Sequence, residues 1–231
     1  MTLEEITLEI LAERALSQFD SKKLVYWAIR VLELGYNSEN LYILAGLDHE
    51  GTEEREEYFW KSVNDLKLNI ERTDEELIHK YAMTIARKAI NKEIGIDYAF
   101  SQMRKIVSAT EYDPRYRAFY EIDEDLDYLT YDNSLLFNSG LTLENSKDFI
   151  LEEFKIFVQM ENLKIPLEER NKCYCERCKN FNNPITKNKF QFKKPFRYMV
   201  WSCGICGSEK LKFSSNHEVK RMIIDKYKFS N

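Results

Sequence analysis

All five cysteines of this 231-residue chain lie between residues 173 and 206. Four of them form two Cys-x-x-Cys pairs, Cys175 with Cys178 and Cys203 with Cys206, and Cys173 precedes the first pair. Two intervening residues let one tight turn direct both sulfurs at a single ion, and thiolates are ligands that suit zinc. A disulfide framework and five unrelated thiols are the rival interpretations. The spacing favours one structural Zn²⁺ per chain, held by the two pairs, with Cys173 as an alternative to Cys175.

Segments of strand-like composition separate and follow the pairs, at residues 190–192, 198–201 and 210–213. This order of turn, strands, turn and strand resembles a zinc ribbon. The resemblance implies a small β domain around a closed site of four thiolates. Such a site has no open coordination position for water or substrate, so its metal stabilises the fold and does not catalyse. A helix is predicted from Asn216 onward.

The charge of the chain changes sign near residue 170. Residues 1–170 hold 20 basic and 35 acidic side chains, a balance of −15, whereas residues 171–231 hold 14 and 4, a balance of +10. Such a split indicates a domain boundary and different partners for the two parts. We therefore expect a mainly α protein, with an acidic, irregular all-α domain at 1–165 and a basic zinc-ribbon domain at 171–231.

Helices are predicted along most of the acidic part. Capping boxes begin two of them, Thr2-x-x-Glu5 and Thr73-x-x-Glu76, and apolar residues follow with helical spacing. The first helix is expected to run to about Gln18. The stretch 112–143, which is rich in aromatic and acidic residues, is expected to be irregular, and residues 167–170 to serve as a linker.

Three segments carry a second resemblance: LVYWA at residues 24–28, LYILAGL at 41–47 and EYF at 57–59. They resemble an uncharacterised family of small bacterial helical proteins over roughly residues 3–130. Members of that group often look like immunity or accessory proteins, so the resemblance implies that the chain acts by binding another protein.

Sequence motifs of common enzymes are missing. The chain has no glycine-rich phosphate loop, no Gly-x-Ser-x-Gly and no His-Glu-x-x-His. Asp123, Asp125 and Asp127 alternate within residues 121–127 and could offer oxygens to a hard cation, but the glycine and distal glutamate of a calcium loop are missing. We expect these aspartates to form a surface that binds a partner. A metal-dependent enzyme with its site at 121–127 is a third-ranked interpretation.

The basic part mixes lysines and arginines with aromatic residues. Lys193, Lys194 and Arg197 alternate with Phe192 and Phe196. Cations pair with phosphates and aromatic rings stack on bases, so a nucleic-acid-binding regulator is the alternative function. The other readings are that the aromatic residues form the small core of the ribbon, or that the basic part docks on the acidic one.

The expected compartment is the cytoplasm. No apolar run approaches the roughly 20 residues that span a bilayer. The first five residues lack the features of a secretory signal, and thiolate zinc sites belong in reducing surroundings. The sequence thus predicts a non-enzymatic zinc-binding protein that acts through a protein partner, away from membranes.

Overall fold

The computed structural model of the chain describes residues 2–16, 19–70 and 73–229. Within them the chain is mainly helical with a small β region, as predicted. Its helices are α1 (Leu3–Leu16), α2 (Lys22–Glu33), α3 (Glu39–Ala45), α4 (Thr52–Asp65), α5 (Asp74–Ile90), α6 (Ile96–Ala109), α7 (Arg117–Tyr131), α8 (Ser146–Asn162), α9 (Leu167–Arg170) and α10 (His217–Lys228). Its strands are β1 (Cys173–Cys175), β2 (Phe181–Asn182), β3 (Pro184–Phe190), β4 (Arg197–Cys203) and β5 (Leu211–Lys212). Gln18, the expected end of the first helix, lies outside the described residues.

Helix starts are fixed by local hydrogen bonds. The backbone N–H of Thr2 donates to the Glu5 carboxylate at 2.9 Å, and the N–H of Glu5 donates to the Thr2 hydroxyl at 3.2 Å. This is the predicted capping box. The Thr73 hydroxyl accepts the N–H of Glu76 at 3.2 Å in the same way. Both caps satisfy backbone donors that the first turn of a helix leaves without partners.

One prediction for the middle of the chain is wrong. Residues 117–131 form the regular helix α7, although we expected irregular chain. The predicted linker, residues 167–170, forms the short helix α9. Asp113-Pro114 ends the preceding pattern, but Phe119 and Ile122 then recur with helical spacing and are buried. The density of acidic residues conceals this short apolar pattern.

The backbone packs as two compact units, Met1–Thr84 and Ile85–Asn231. In the first unit the rings of Trp27 and Phe59 meet edge-on at 4.8 Å in the core. Arg55 is buried there and donates to the carbonyl oxygens of Leu47 at 2.9 Å and Asp48 at 2.8 Å. Its charge is thereby solvated by backbone oxygens. The domain boundary predicted between residues 165 and 171 lies inside the second unit.

In the second unit, α10 packs on α8. Ile156 and Met160 of α8 form a buried cluster with Val219 and Ile223 of α10, and Tyr174 of β1 packs against that cluster. The last helix therefore shares a hydrophobic core with the helix that precedes the cysteine-rich segment.

A buried ion pair joins the same two helices. The Glu153 carboxylate of α8 accepts hydrogen bonds from Lys220 at 2.6 Å and from Nε2 of His217 at 2.9 Å. Burial raises the pKa of Glu153, but the charge of Lys220 and the hydrogen bond from His217 outweigh it and lower the pKa to about 2. Phe149 stacks on the His217 ring at 4.0 Å.

The strands form two small antiparallel sheets. Three strands pair in the order β2-β1-β5, and β3 pairs with β4 as a hairpin from Pro184↔Cys203 to Phe190↔Arg197. Across residues 2–16, 19–70 and 73–229, no helix combines the length and the apolar composition that crossing a bilayer requires.

Candidate metal centre

Each Cys-x-x-Cys turn begins where a strand ends. Cys175 is the last residue of β1, and Cys203 is the last residue of β4. Strand pairing therefore fixes the first sulfur of each turn, and the turn that follows brings the second sulfur next to it. We call residues 175–179 the first cysteine turn and residues 203–207 the second cysteine turn.

The two cysteine turns share one backbone hydrogen-bond pattern. In the first, the N–H of Lys179 donates to the carbonyl oxygen of Cys175 at 2.8 Å. In the second, the N–H of Gly207 donates to the carbonyl oxygen of Cys203 at 2.9 Å. The residue after each second cysteine has a left-handed backbone, with φ 59° at Lys179 and 70° at Gly207. Two copies of one turn thus face each other across the site.

Backbone N–H groups are directed at the first sulfur of each turn. The N–H groups of Ile205 and Cys206 lie 3.4 and 3.5 Å from Sγ of Cys203. In the first turn the N–H of Cys178 is the strongest influence on Cys175 and, against partial desolvation, lowers the pKa of the Cys175 thiol to about 6. Desolvation raises the pKa of Cys203, but the N–H groups directed at it outweigh this and lower that pKa. The turns therefore stabilise thiolates, the form that binds metal.

Four sulfurs come together at the centre. Sγ of Cys175 lies 3.6 Å from Sγ of Cys206, and Sγ of Cys178 lies 3.7 Å from Sγ of Cys203. All four ligand atoms lie within 4.8 Å of one another. A metal bound at about 2.3 Å by four tetrahedral sulfurs requires S–S distances of about 3.8 Å. The group fits a metal ion, and the five cysteines form no disulfide, so the disulfide framework is excluded here.

The two thiols of the first cysteine turn differ in pKa. Desolvation, followed by the hydrogen bond with Cys175, raises the pKa of Cys178 to about 11. The pKa of Cys175 moves in the opposite direction, mainly because the backbone N–H of Cys178 is directed at its sulfur.

Cys173 lies outside the group of four. It is buried, and its thiol donates to the carbonyl oxygen of Asn182 at 3.2 Å. Burial is the main reason that the pKa of Cys173 is raised. The alternative in which Cys173 replaces Cys175 is not the arrangement found.

Sequence reasoning missed Asn182, which links the second cysteine turn to Asn180, the residue that follows the first turn. Its Oδ1 accepts the N–H of Gly204 at 2.8 Å, and its Nδ2 donates to the carbonyl oxygen of Asn180 at 3.3 Å. A Cβ at position 204 would lie 2.8 Å from the carbonyl oxygen of Asn183, so this close approach requires glycine. Nothing in the spacing of the cysteines indicates this asparagine.

The three predicted partner-binding aspartates have different environments on α7. Asp123 pairs with Arg104 at 3.0 Å, and Asp127 is exposed. Asp125 is fully buried. Its carboxylate accepts the backbone N–H groups of residues 136, 137 and 138 and the side-chain amide of Asn138, at 2.6–3.2 Å. Asp125 cannot contact a partner, because its oxygens are used inside the protein, and this part of the expectation is corrected.

The basic residues singled out from the sequence lie at the far end of the β3–β4 hairpin. Lys193 and Lys194 belong to the connection between the strands, and all three predicted cations are exposed. The Arg197 guanidinium lies 5.0 Å from the centre of the Phe190 ring. Aromatic side chains of this hairpin are also exposed, among them Phe192. These exposed side chains do not form the core of the ribbon, so the interpretation of the aromatic residues as core does not hold at this end of the hairpin.

Family models, curated proteins and solved structures all gave no match to this chain. The resemblance of residues 3–130 to small bacterial helical proteins therefore remains a prediction.

Proposed function

We propose that the chain is a non-enzymatic zinc-binding protein in which one Zn²⁺ holds a zinc ribbon together. The observation that carries this is the group of four sulfurs at near-tetrahedral spacing, with backbone N–H groups directed at the first thiolate of each turn. Four protein thiolates fill the coordination of zinc and leave no position for water or substrate. The metal would therefore stabilise the ribbon without taking part in chemistry.

The ribbon depends on this metal because its own core is small. Sheet β2-β1-β5 consists of strands of two or three residues, well below the length of a strand that is stable without further support. Metal-binding free energy becomes folding free energy in such modules. A reducing compartment such as the cytoplasm would keep the four thiols available.

We infer further that the helical part acts by binding a protein, as immunity and accessory proteins do. The balance of −15 over residues 1–170 supports this, together with exposed Asp127 and Tyr131 at the end of α7. Tyrosine beside charge is common in binding surfaces. Affinity capture with Tyr131→Ala and wild-type chains, after nuclease treatment, tests it: a protein captured by both chains equally would not bind at this surface.

Metal analysis of the purified chain tests the zinc proposal. We expect about one zinc per chain. Cys175→Ser should release the zinc and unfold the ribbon, whereas Cys173→Ser should retain it because Cys173 contacts Asn182 and not the site. Each variant replaces one cysteine sulfur by oxygen, at positions only two residues apart, so Cys173→Ser is a matched control for Cys175→Ser.

Two results would contradict the proposal. One is a metal-free chain whose ribbon shows the chemical-shift dispersion of folded protein. The other is iron in place of zinc, which a tetrahedral set of sulfurs also accepts and which visible absorbance detects.

A further inference from the structure

The pairing register assigns the side chains of the β3–β4 hairpin to two faces. Directly opposite residues of an antiparallel pair share a face, and alternate residues along a strand point the same way. Phe190 pairs with Arg197, and Asn188 with Met199, two residues further along. Trp201 lies on the same face, paired with Thr186. We call Phe190, Arg197, Met199 and Trp201 the aromatic face of the hairpin.

The aromatic face is open to solvent. Phe190 and Met199 are 72% and 73% exposed, and Trp201 is 53% exposed. Large apolar side chains are normally buried, so three on one strand pair form a patch that marks a binding surface. The Arg197 guanidinium lies 5.0 Å from the centre of the Phe190 ring, so this face presents a cation next to an aromatic ring that is still largely exposed.

The opposite face of the hairpin is already used within the protein. Lys189 forms an ion pair with Glu209 beyond the second cysteine turn. Lys187 lies over that turn as well, with Nζ 2.5 Å from where a Cβ of Gly207 would stand. The lysines of this face therefore contact the second cysteine turn and the residues that follow it.

Residues 191–196, which we call the hairpin tip, extend the aromatic face. Phe192 is completely exposed and Phe196 more than half exposed. Lys193 and Lys194 lie between them and are exposed too. The tip thus presents two rings and two cations without a covering element in the part of the chain that the structure describes.

The charge around the hairpin has one sign. Between Glu176 and Glu209 the chain has no acidic residue. The same segment carries seven cations, which are Arg177, Lys179, Lys187, Lys189, Lys193, Lys194 and Arg197. A surface of this charge attracts polyanions. The exposed aromatic rings beside the cations suit a polyanion that contains planar aromatic groups, because these can stack on the rings.

We propose that the aromatic face and the hairpin tip bind single-stranded nucleic acid. Single strands fit better than duplexes, because unpaired bases offer their planes for stacking whereas paired bases are stacked on each other. The proposal rests on the zinc site, since Cys203 ends β4 and the metal fixes the base of the hairpin. The bases stack on Phe190, Phe192 and Trp201, and the phosphates contact Lys193, Lys194 and Arg197.

A cleft of about 720 Å³ adjoins the aromatic face at Trp201, and Arg115 and Arg117 also line it. Both arginines already form ion pairs, with Asp113 and Glu121. The aromatic face itself spans four residue steps, roughly 13 Å, which accommodates two or three bases as in other sheet-based readers.

Fluorescence anisotropy of the intact, zinc-loaded chain tests this, with a labelled oligothymidylate and the matching duplex as probes. At near-physiological salt we expect the single strand to bind more tightly than the duplex. Phe190→Ala and Phe192→Ala change exposed side chains, so the fold should survive, and each should weaken binding by roughly 5- to 100-fold through a lost stacking contact.

Lysine variants on opposite sides of the hairpin provide the matched control. Lys193→Ala and Lys187→Ala remove one charge each from the same hairpin. Lys193→Ala should weaken binding and lower the salt dependence by about one phosphate contact, whereas Lys187→Ala should change binding less. Equal losses from both would mean general attraction between charges and would overturn the proposal.

Two further outcomes would also overturn it. One is no single-strand binding by a chain that carries its zinc, which would leave the zinc proposal standing. The other is displacement of the oligothymidylate by polyglutamate at the same concentration of charges. That result would identify the partner as an acidic protein segment.

Discussion

A buried carboxylate that accepts hydrogen bonds from several backbone N–H groups acts like a bound anion. The chain itself supplies both the anion and its binding site. Asp125 does this for residues 136–138, the segment that follows α7. Its neighbours Asp123 and Asp127 differ from it only in direction, because α7 turns one of the three towards the core. At the scale of single residues, direction along a helix decides whether an aspartate is a surface charge or a structural anchor.

Asp125→Ala tests this anchor. Backbone N–H groups that lose a buried acceptor cost about 1–3 kcal/mol, so the free energy of unfolding should fall by about that much in urea. Asp127→Ala, two residues along the same helix, should change it by less than about 0.5 kcal/mol. Equal effects of the two variants would show that the carboxylate of Asp125 holds nothing in place.

The sequence could have placed Asp125 correctly if α7 had been recognised. Phe119, Ile122 and Asp125 follow one another at intervals of three, which puts them on one face of a helix. The alternation of the three aspartates instead suggests an exposed, irregular segment. The cysteine ligands were predictable because their spacing is local, whereas Asn182 was not, because its bond to Gly204 joins residues that only the fold brings together.

Between elements, the contact of α8 with α10 depends on charge as well as on apolar packing. Glu153 carries its charge at a buried position with Lys220 and His217 as partners. Breaking such a pair by removing one partner is costly, because the other charge is left buried without compensation.

This pair predicts how stability depends on pH. Glu153 has an ordinary pKa of 4.5 and a folded pKa of about 2. Because the folded value is the lower one, its contribution is fully present above 4.5 and is lost as pH falls to about 2, on the order of 3 kcal/mol in all.

Urea unfolding at a series of pH values, followed by helical circular dichroism, measures this dependence. Glu153→Gln should be less stable at neutral pH and should lose less stability on acidification than the wild type. Zinc leaves both chains as the thiols gain protons, so the difference between them reports Glu153. Two parallel curves would contradict the assignment.

Elements were predictable where their signals are local. The two capping boxes, followed by apolar residues with helical spacing, predicted where α1 and α5 begin. The second strand of the hairpin was predicted too short, at residues 198–201. The first was misplaced at 190–192, which overlaps β3 only at Phe190, since Lys187, Asn188 and Lys189 lack the apolar alternation of a half-buried strand. β1 and β2 were not foreseen, because strands of two or three residues depend on their pairing and on the site they flank.

Across the whole molecule, the ligands of the metal all belong to the second compact unit, Ile85–Asn231. The change in charge near residue 170 falls within that unit and not at its edge. Charge and packing therefore divide the chain at different places, because packing follows the shared core of α8 and α10.

Removal of the metal should affect the two units differently. After chelation, amide hydrogen exchange should accelerate strongly across residues 173–212 and less in α10, because metal binding supplies the folding free energy of the ribbon. Exchange in Met1–Thr84 should stay slow, since no ligand lies there. Loss of protection throughout the chain, or no loss in either unit, would contradict a different response of the two units.

The packing of α10 on α8 has a consequence for how the ribbon folds. The chain leaves α8 after Asn162 and returns at His217, where both ends are held together by the shared apolar cluster. While α8 and α10 stay packed, the intervening segment is a closed loop and not a free tail. Closing a loop costs conformational entropy that rises only slowly with its length, and here the packing of the two helices offsets that cost independently of the ion. The four sulfurs are therefore confined to a smaller volume than they would be in a peptide that lacks the two flanking helices.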